Sequence, residues 1–116
     1  MLKIYGIKNC DTMKKAFDWL DANKIPYEFH NYKTEGIDKE KISNWLKSAP
    51  ANVVANTKGT TWKNLSDSEK EALNDVEKLA NILSNNSSAL KRPIVELNST
   101  ILIGFDATKW QEVLRF

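Results

Sequence analysis

The stretch Leu2-Lys3-Ile4-Tyr5-Gly6-Ile7-Lys8-Asn9-Cys10-Asp11-Thr12 decides the fold. Residues 2–5 are a short apolar run that reads as a strand, Gly6 supplies a turn, and an amphipathic helix opens at Asp11-Thr12. Cys10 stands one residue ahead of that helix. A helix N-terminus presents unpaired backbone N–H groups and the positive end of the macrodipole, so a thiol there is placed where an anion is favoured. Thiolates become reactive in such positions. A lone cysteine is elsewhere often just a small buried hydrophobe. Here the order strand, turn, cysteine, helix points instead to a nucleophile.

Working outward, Ala16, Phe17, Trp19 and Leu20 give the apolar face of a helix over about 11–23. Pro26 then introduces Tyr27-Glu28-Phe29-His30-Asn31-Tyr32, whose large residues alternate with polar ones in the period of a half-buried strand. Strand, helix and strand together suggest a parallel pair joined by a right-handed crossover. From Asp38 the spacing of Ile42, Trp45 and Leu46 predicts a helix ended by Ala49-Pro50. The segment 51–65 is less regular and contains the turn-rich run Asn56-Thr57-Lys58-Gly59-Thr60-Thr61-Trp62. Ser66-Asp67-Ser68-Glu69 signals a new helix start. Leu73, Val76, Leu79, Ala80 and Leu83 continue it as an apolar stripe, with Asn74-Asp75 as a point where it breaks.

The polar run Ser84-Asn85-Asn86-Ser87-Ser88 reads as a surface loop, because the segment after it needs the first strand to complete a sheet. Ile94-Val95-Glu96-Leu97, the turn Asn98-Ser99, and Thr100-Ile101-Leu102-Ile103-Gly104 form a β-hairpin. A last helix over about 107–116 carries Trp110, Val113 and Leu114. The class is α/β: a thioredoxin-like fold with a helical insertion, about 35–90, between an N-terminal βαβ unit and a C-terminal ββα unit.

The chain has 116 residues, enough to bury one ordinary core in a single domain. The net charge is +2, and the 17 basic and 15 acidic residues are interspersed, so neither nucleic acid nor an anionic membrane is indicated. One cysteine excludes an internal disulfide, and one cysteine with one histidine excludes a structural zinc site, so no bound metal or cofactor is expected. No signal-peptide pattern and no apolar run of about 18 residues occurs, which makes a soluble cytoplasmic monomer the expectation.

As a nucleophile, Cys10 acts through its thiolate. Asn9, Asp11 and Thr12 surround it; Thr12 or Asp11 has the simpler alternative of capping the helix, and Asp11 opposes thiolate formation unless its side chain turns away. A second thiol spaced Cys-x-x-Cys would fall at position 13, which is Met13, so a resolving thiol has to come from outside, and glutathione or a similar small thiol is the economical choice. Arg92-Pro93 directly precedes the strand 94–97. A proline there, facing a redox cysteine, is where a cis bond is expected, and X-Pro is where such a bond costs only about 0.5–1 kcal/mol. Arg92, always charged, then holds the thiolate or an anionic substrate; its bland alternative is a surface arginine beside a trans proline.

Of the nearby lysines, Lys8 or Lys58 is the one expected to add positive field to the site. His30 is expected on the surface and Trp62 in packing. Moving the thiol from about 8.5 to about 6–7 is a shift of roughly two units, or about 3 kcal/mol. A helix dipole (about 0.3–2 kcal/mol) and one charge-assisted hydrogen bond (about 1.5–3 kcal/mol) supply that much.

The runs Tyr5-Gly6-Ile7-Lys8-Asn9-Cys10-Asp11-Thr12-Met13-Lys14-Lys15-Ala16, Asn56 to Trp62, Lys91-Arg92-Pro93-Ile94 and Leu102-Ile103-Gly104-Phe105 resemble, in that order, the arsenate reductase (ArsC)/Spx family and most closely its YffB-like branch. The resemblance implies a thioredoxin-like fold with a helical insert, a nucleophilic Cys10 and a cis-proline at Pro93. Beside Cys10 and Arg92, the residues Asn9, Thr12, Lys8, Lys58 and Pro93 are the substrate-binding candidates.

Arsenate reductases of this type hold the oxyanion with three arginines. Only Arg92 matches; Asn56, with Lys58 nearby, occupies a second position, and the stretch after Gly104 offers no match to the third. Spx-like members regulate transcription by binding the RNA polymerase α subunit, many with a Cys-x-x-Cys switch that Met13 removes. The YffB-like branch implies a glutathione-dependent monothiol oxidoreductase. Arsenate reduction and polymerase binding are the alternatives.

Overall fold

The computed structural model describes residues 1–114. By its own contacts the chain divides into two compact units, one formed by Met1–Asn31 with the chain from Arg92 onward, the other by Tyr32–Lys91. The insertion expected at about 35–90 thus begins as soon as the second strand ends.

In the first unit β1 (Leu2–Gly6), α1 (Asp11–Ala22) and β2 (Tyr27–Asn31) form the predicted βαβ unit. β1 pairs parallel with β2, with Ile4 opposite Phe29 and Tyr5 opposite His30. Leu2 and Ile4 point into the core of this unit, while on the other face of the strand Lys3 is exposed and Tyr5 is buried. α1 buries Met13, Ala16 and Leu20, which recur at the three- and four-residue spacing of one helix face. It ends at Asn23, whose N–H and side-chain amide both donate to the Trp19 carbonyl, and Lys24 reverses the chain with φ of 56°. Asn98 has the same positive φ in the hairpin, a conformation asparagine tolerates better than most residues.

The second unit contains α2 (Tyr32–Glu35), α3 (Lys39–Ser48), α4 (Ala51–Val54), α5 (Thr60–Lys63), α6 (Asp67–Lys70) and α7 (Val76–Asn85). Tyr32, read as the end of a strand, instead starts α2; its side chain is buried and its hydroxyl donates to the Lys91 carbonyl at 3.3 Å. The irregular segment 51–65 contains two short helices separated by a turn, and Ala55 bridges antiparallel to Leu90. Ser66 and Glu69 form a reciprocal capping box, satisfying both orphan donors at that helix start.

The expected stripe from Leu73 breaks at Asp75, which accepts from the Lys78 N–H and caps α7. Val76 is exposed, so the buried stripe begins at Leu79 and continues through Ala80 and Leu83. The polar run expected as a loop is partly helical: Asn85 closes α7 and Ser87–Ala89 is a 3-10 turn. Trp45 and Trp62 are buried in this unit.

β3 (Ile94–Leu97), β4 (Thr100–Ile103) and α8 (Ala107–Val113) return to the first unit. The sheet order is β2-β1-β3-β4, with β3 antiparallel to both neighbours. Asp106 caps α8 through the Lys109 N–H. Leu2, Ile4, Met13, Leu20, Val95, Leu102 and Trp110 form the core of this unit. The Trp110 ring meets Trp19 and Phe105 edge to face at 5.7 and 4.9 Å, and its indole N–H donates to the Gly104 carbonyl. Positions 115 and 116 of the expected last helix lie outside the described residues. The architecture is the thioredoxin-like α/β arrangement with a helical insertion.

Candidate active site

Cys10 is the N-cap of α1, with extended backbone angles and its carbonyl already accepting from the Lys14 N–H at 2.9 Å. Its own N–H donates back to the Lys8 carbonyl at 3.0 Å, which closes the loop after Gly6 tightly. Cys10 is half-buried. Burial raises its pKa, but the backbone N–H of Met13, a hydrogen bond from the Arg92 guanidinium, the backbone N–H of Thr12 and the Arg92 charge outweigh it, so the thiol lies below its ordinary range. The two backbone donors fall short of a formed side-chain cap. Their effect is that of dipoles aimed at where the negative charge sits.

Gly6 makes this geometry possible. A Cβ at that position would collide with the Met13 thioether and touch the Arg92 Cβ at 3.5 Å. Met13 is fully buried beneath it. The side chain at the position of a resolving cysteine is therefore a packing element, while its backbone N–H serves the thiol. The Arg92–Pro93 peptide bond is cis. Pro93 is buried, and its carbonyl accepts from the Gly104 N–H at 2.8 Å, extending the β3–β4 ladder by one bond.

Beside the sulfur lies a groove of about 600 Å³ running along α1, with Lys8, Asn9, Cys10 and Asp11 at one end and Lys14, Phe17 and Asp18 continuing it. Among the residues expected at the site, the first unit thus brings together Cys10, Arg92, Pro93, Lys8, Asn9 and Thr12. Thr12 contributes its backbone rather than its hydroxyl. Asp11 is exposed and is not among the groups that shift the thiol.

Lys58 is a half-buried residue of the inserted unit. His30 packs against Tyr5 with ring centroids 5.1 Å apart, so the expected surface histidine is partly covered. Sequence reasoning weighs Lys14 only as one of the nearby lysines, behind Lys8 and Lys58, and does not bring Phe17 and Asp18 to the site. The spacing of residues 10, 14 and 18, about one helical turn apart, is the signal that finds two of them.

A strand–turn–Cys–helix unit with a cis-proline directly before β3 defines a thioredoxin-like protein with a single thiol at the candidate site. The ArsC family model matches residues 5–113, and the chain belongs to the ArsC family. It is 36% identical over 111 residues to an uncharacterised protein of Haemophilus influenzae, covering 96% of both chains. The solved structure of the YffB (PA3664) protein superposes with a TM-score of 0.93 at 39% identity, covering 98% of this chain and 99% of that one. An arsenate reductase (ArsC) related protein from Brucella melitensis gives a TM-score of 0.73 at 35% identity over 99% of this chain and 95% of its own. The global transcriptional regulator Spx of Streptococcus mutans is 27% identical over 109 residues, 91% of this chain and 77% of its own.

Proposed function

We propose that this chain is a glutathione-dependent monothiol oxidoreductase. The observation that carries the reading is the thiol of Cys10, held below its usual pKa by the N–H groups of Met13 and Thr12 and by Arg92, with a fully buried Met13 where a second thiol would stand. The thiolate attacks one sulfur of a disulfide R–S–S–R′; that bond breaks, R′S⁻ leaves and Cys10–S–S–R forms. A glutathione thiolate then attacks the R sulfur, expels the Cys10 thiolate and departs as the mixed disulfide R–S–S–glutathione. Arg92 stabilises the thiolate both as attacker and as leaving group. The cis-Pro93 backbone beside it is where an extended substrate pairs, and Lys8, Asn9 and Thr12 line the approach. Lys58 is a further substrate-binding candidate from the insert.

Turnover of a small disulfide with glutathione tests this directly. Wild type is expected to turn over and Cys10→Ser to be inactive; equal rates in the two would sink the proposal. The Spx relatives favour a second reading, a regulator that binds the RNA polymerase α subunit through its surface. Copurification with that subunit that persists in Cys10→Ala would favour it. Arsenate reduction is a third, motivated by the arsenate reductase related neighbour. With Arg92 and Arg115 the only arginines, the charged pocket for the oxyanion is thin.

A further inference from the structure

β4 is an edge strand: in the order β2-β1-β3-β4 it pairs with β3 alone. The Gly104 N–H donates to the Pro93 carbonyl, and hydrogen-bonded pairs alternate with unbonded ones along an antiparallel ladder. The bonded pairs are therefore Val95 with Leu102 and Leu97 with Thr100. Ile101 and Ile103 turn their N–H and C=O groups away from β3. Among the described residues no hydrogen bond reaches those four groups. An open row of this kind is a template for another strand.

The two edges of the sheet differ in how they are guarded. β2 has Pro26 directly before it and the exposed Glu28 within it, both of which discourage strand addition. β4 has neither. From Leu97 to Phe105 no residue is charged, and Ile101 and Ile103 stand half-buried beside the open groups. This edge offers a charged partner nothing to pair with. A second β4 brings no like charge against it, the contact that destabilises opposed strands.

We propose that β4 pairs antiparallel with β4 of a second copy of this chain, about a two-fold axis at Leu102, a departure from the monomer expected from the sequence. In that register Ile101 lies opposite Ile103 of the second copy, and Ile103 opposite its Ile101. Each pair exchanges two hydrogen bonds, so four bonds satisfy every open group of both copies. The isoleucines pack across the seam on one face, and the two Leu102 side chains meet on the other. Such an isologous pairing is the commonest form of oligomer. Four residues make an edge only about 14 Å long, short of the roughly 1,200–2,000 Å² of a stable interface. The dimer is therefore weak and dissociates on dilution.

Sedimentation equilibrium of the full chain from about 20 µM to about 1 mM, the range that brackets a weak dimer, is the test. The wild-type mass is expected to climb from one chain toward two, with concentration-dependent shifts at the Ile101 and Ile103 amides. Ile103→Pro removes an outward donor and no bond to β3. It is expected to weaken association about tenfold, because each dimer loses two hydrogen bonds. Ile101→Lys keeps every backbone group but charges the seam, and is expected to do the same; it decides the matter if the proline lowers the thermal midpoint. Glu28→Gln, at the other edge, leaves association unchanged.

A mass of one chain at the highest concentration, or equal association in all variants, would overturn the proposal. So would a wild type that stays monomeric while the uncharged peptide acetyl-Thr-Val-Thr-Val-Thr-amide moves the two isoleucine amides, since the edge then takes a foreign strand. The two-fold axis sets the β1 strands five strand spacings apart, about 24 Å, with the Cys10 thiols at opposite ends of the joined sheet. Cys10 alkylation is thus expected to be equal in wild type and edge variants. The edge and the thiol reading stand or fall independently.

Discussion

At Gly6 and Met13 one side chain exists because another does not. Met13 is fully buried under a position where any Cβ would strike its thioether. Gly6→Ala is therefore expected to lose about 1–3 kcal/mol by overpacking, read as a lower denaturation midpoint. Met13→Ala alone is expected to lose about 2–5 kcal/mol through the cavity it leaves. The double variant should be more stable than the sum of the two losses predicts, since shortening the side chain at position 13 frees the space that a methyl at position 6 needs; strict additivity would show that the two sites do not touch. The glycine was legible in the sequence as a turn. Its second role, giving way to a methionine seven positions on, depends on a contact that sequence spacing does not display.

Among the elements, those whose ends carry local chemistry were the ones the sequence declared. Ser66 and Glu69 announced a capping box that the structure contains, and Asn98-Ser99 announced the hairpin. Removing the caps is expected to cost about 0.5–2 kcal/mol each for Ser66→Ala, Asp75→Ala and Asp106→Ala, with no change in Cys10 reactivity. Altered alkylation in any of the three would tie those helix ends to the site, against the local role assigned to them. Short elements were harder to read. α4 and α5 have too few turns to show a period, and Tyr32 continues the strand alternation in sequence although its backbone has already turned helical. Val76 fits the apolar spacing of α7 yet is exposed, because that helix buries only a narrow stripe. The site followed the same rule: residues set by the strand–turn–helix pattern were legible, while the groove needed the exposed side of α1 to be seen in three dimensions.

For the whole molecule, the thiol links protonation to folding. The folded pKa of Cys10 is lowered, so between that value and the unfolded one, about 8.5, the unfolded chain binds more protons. The stabilisation this adds is complete above the unfolded pKa and is lost as pH falls through the folded pKa. The stability of the wild type relative to Cys10→Ser should accordingly increase from pH 6 to pH 9; a flat difference would mean that the thiolate gains nothing from folding. No helix of the described residues is long and apolar enough to cross a membrane. With Arg92 as the arginine beside the thiol, disulfide turnover should exceed arsenate turnover when both are assayed with glutathione and glutaredoxin. The reverse order would move the oxyanion reading ahead.

The attack and release of the proposed reaction, like the pH dependence of stability, turn on the charge of one sulfur. The most direct test is the rate of Cys10 alkylation by iodoacetamide as a function of pH, in the wild type and in Arg92→Ala. A lowered thiol held by the arginine predicts a wild-type midpoint below that of a free thiol, moved upward in the variant. A midpoint at or above the free-thiol value, with no difference between the two proteins, would contradict it.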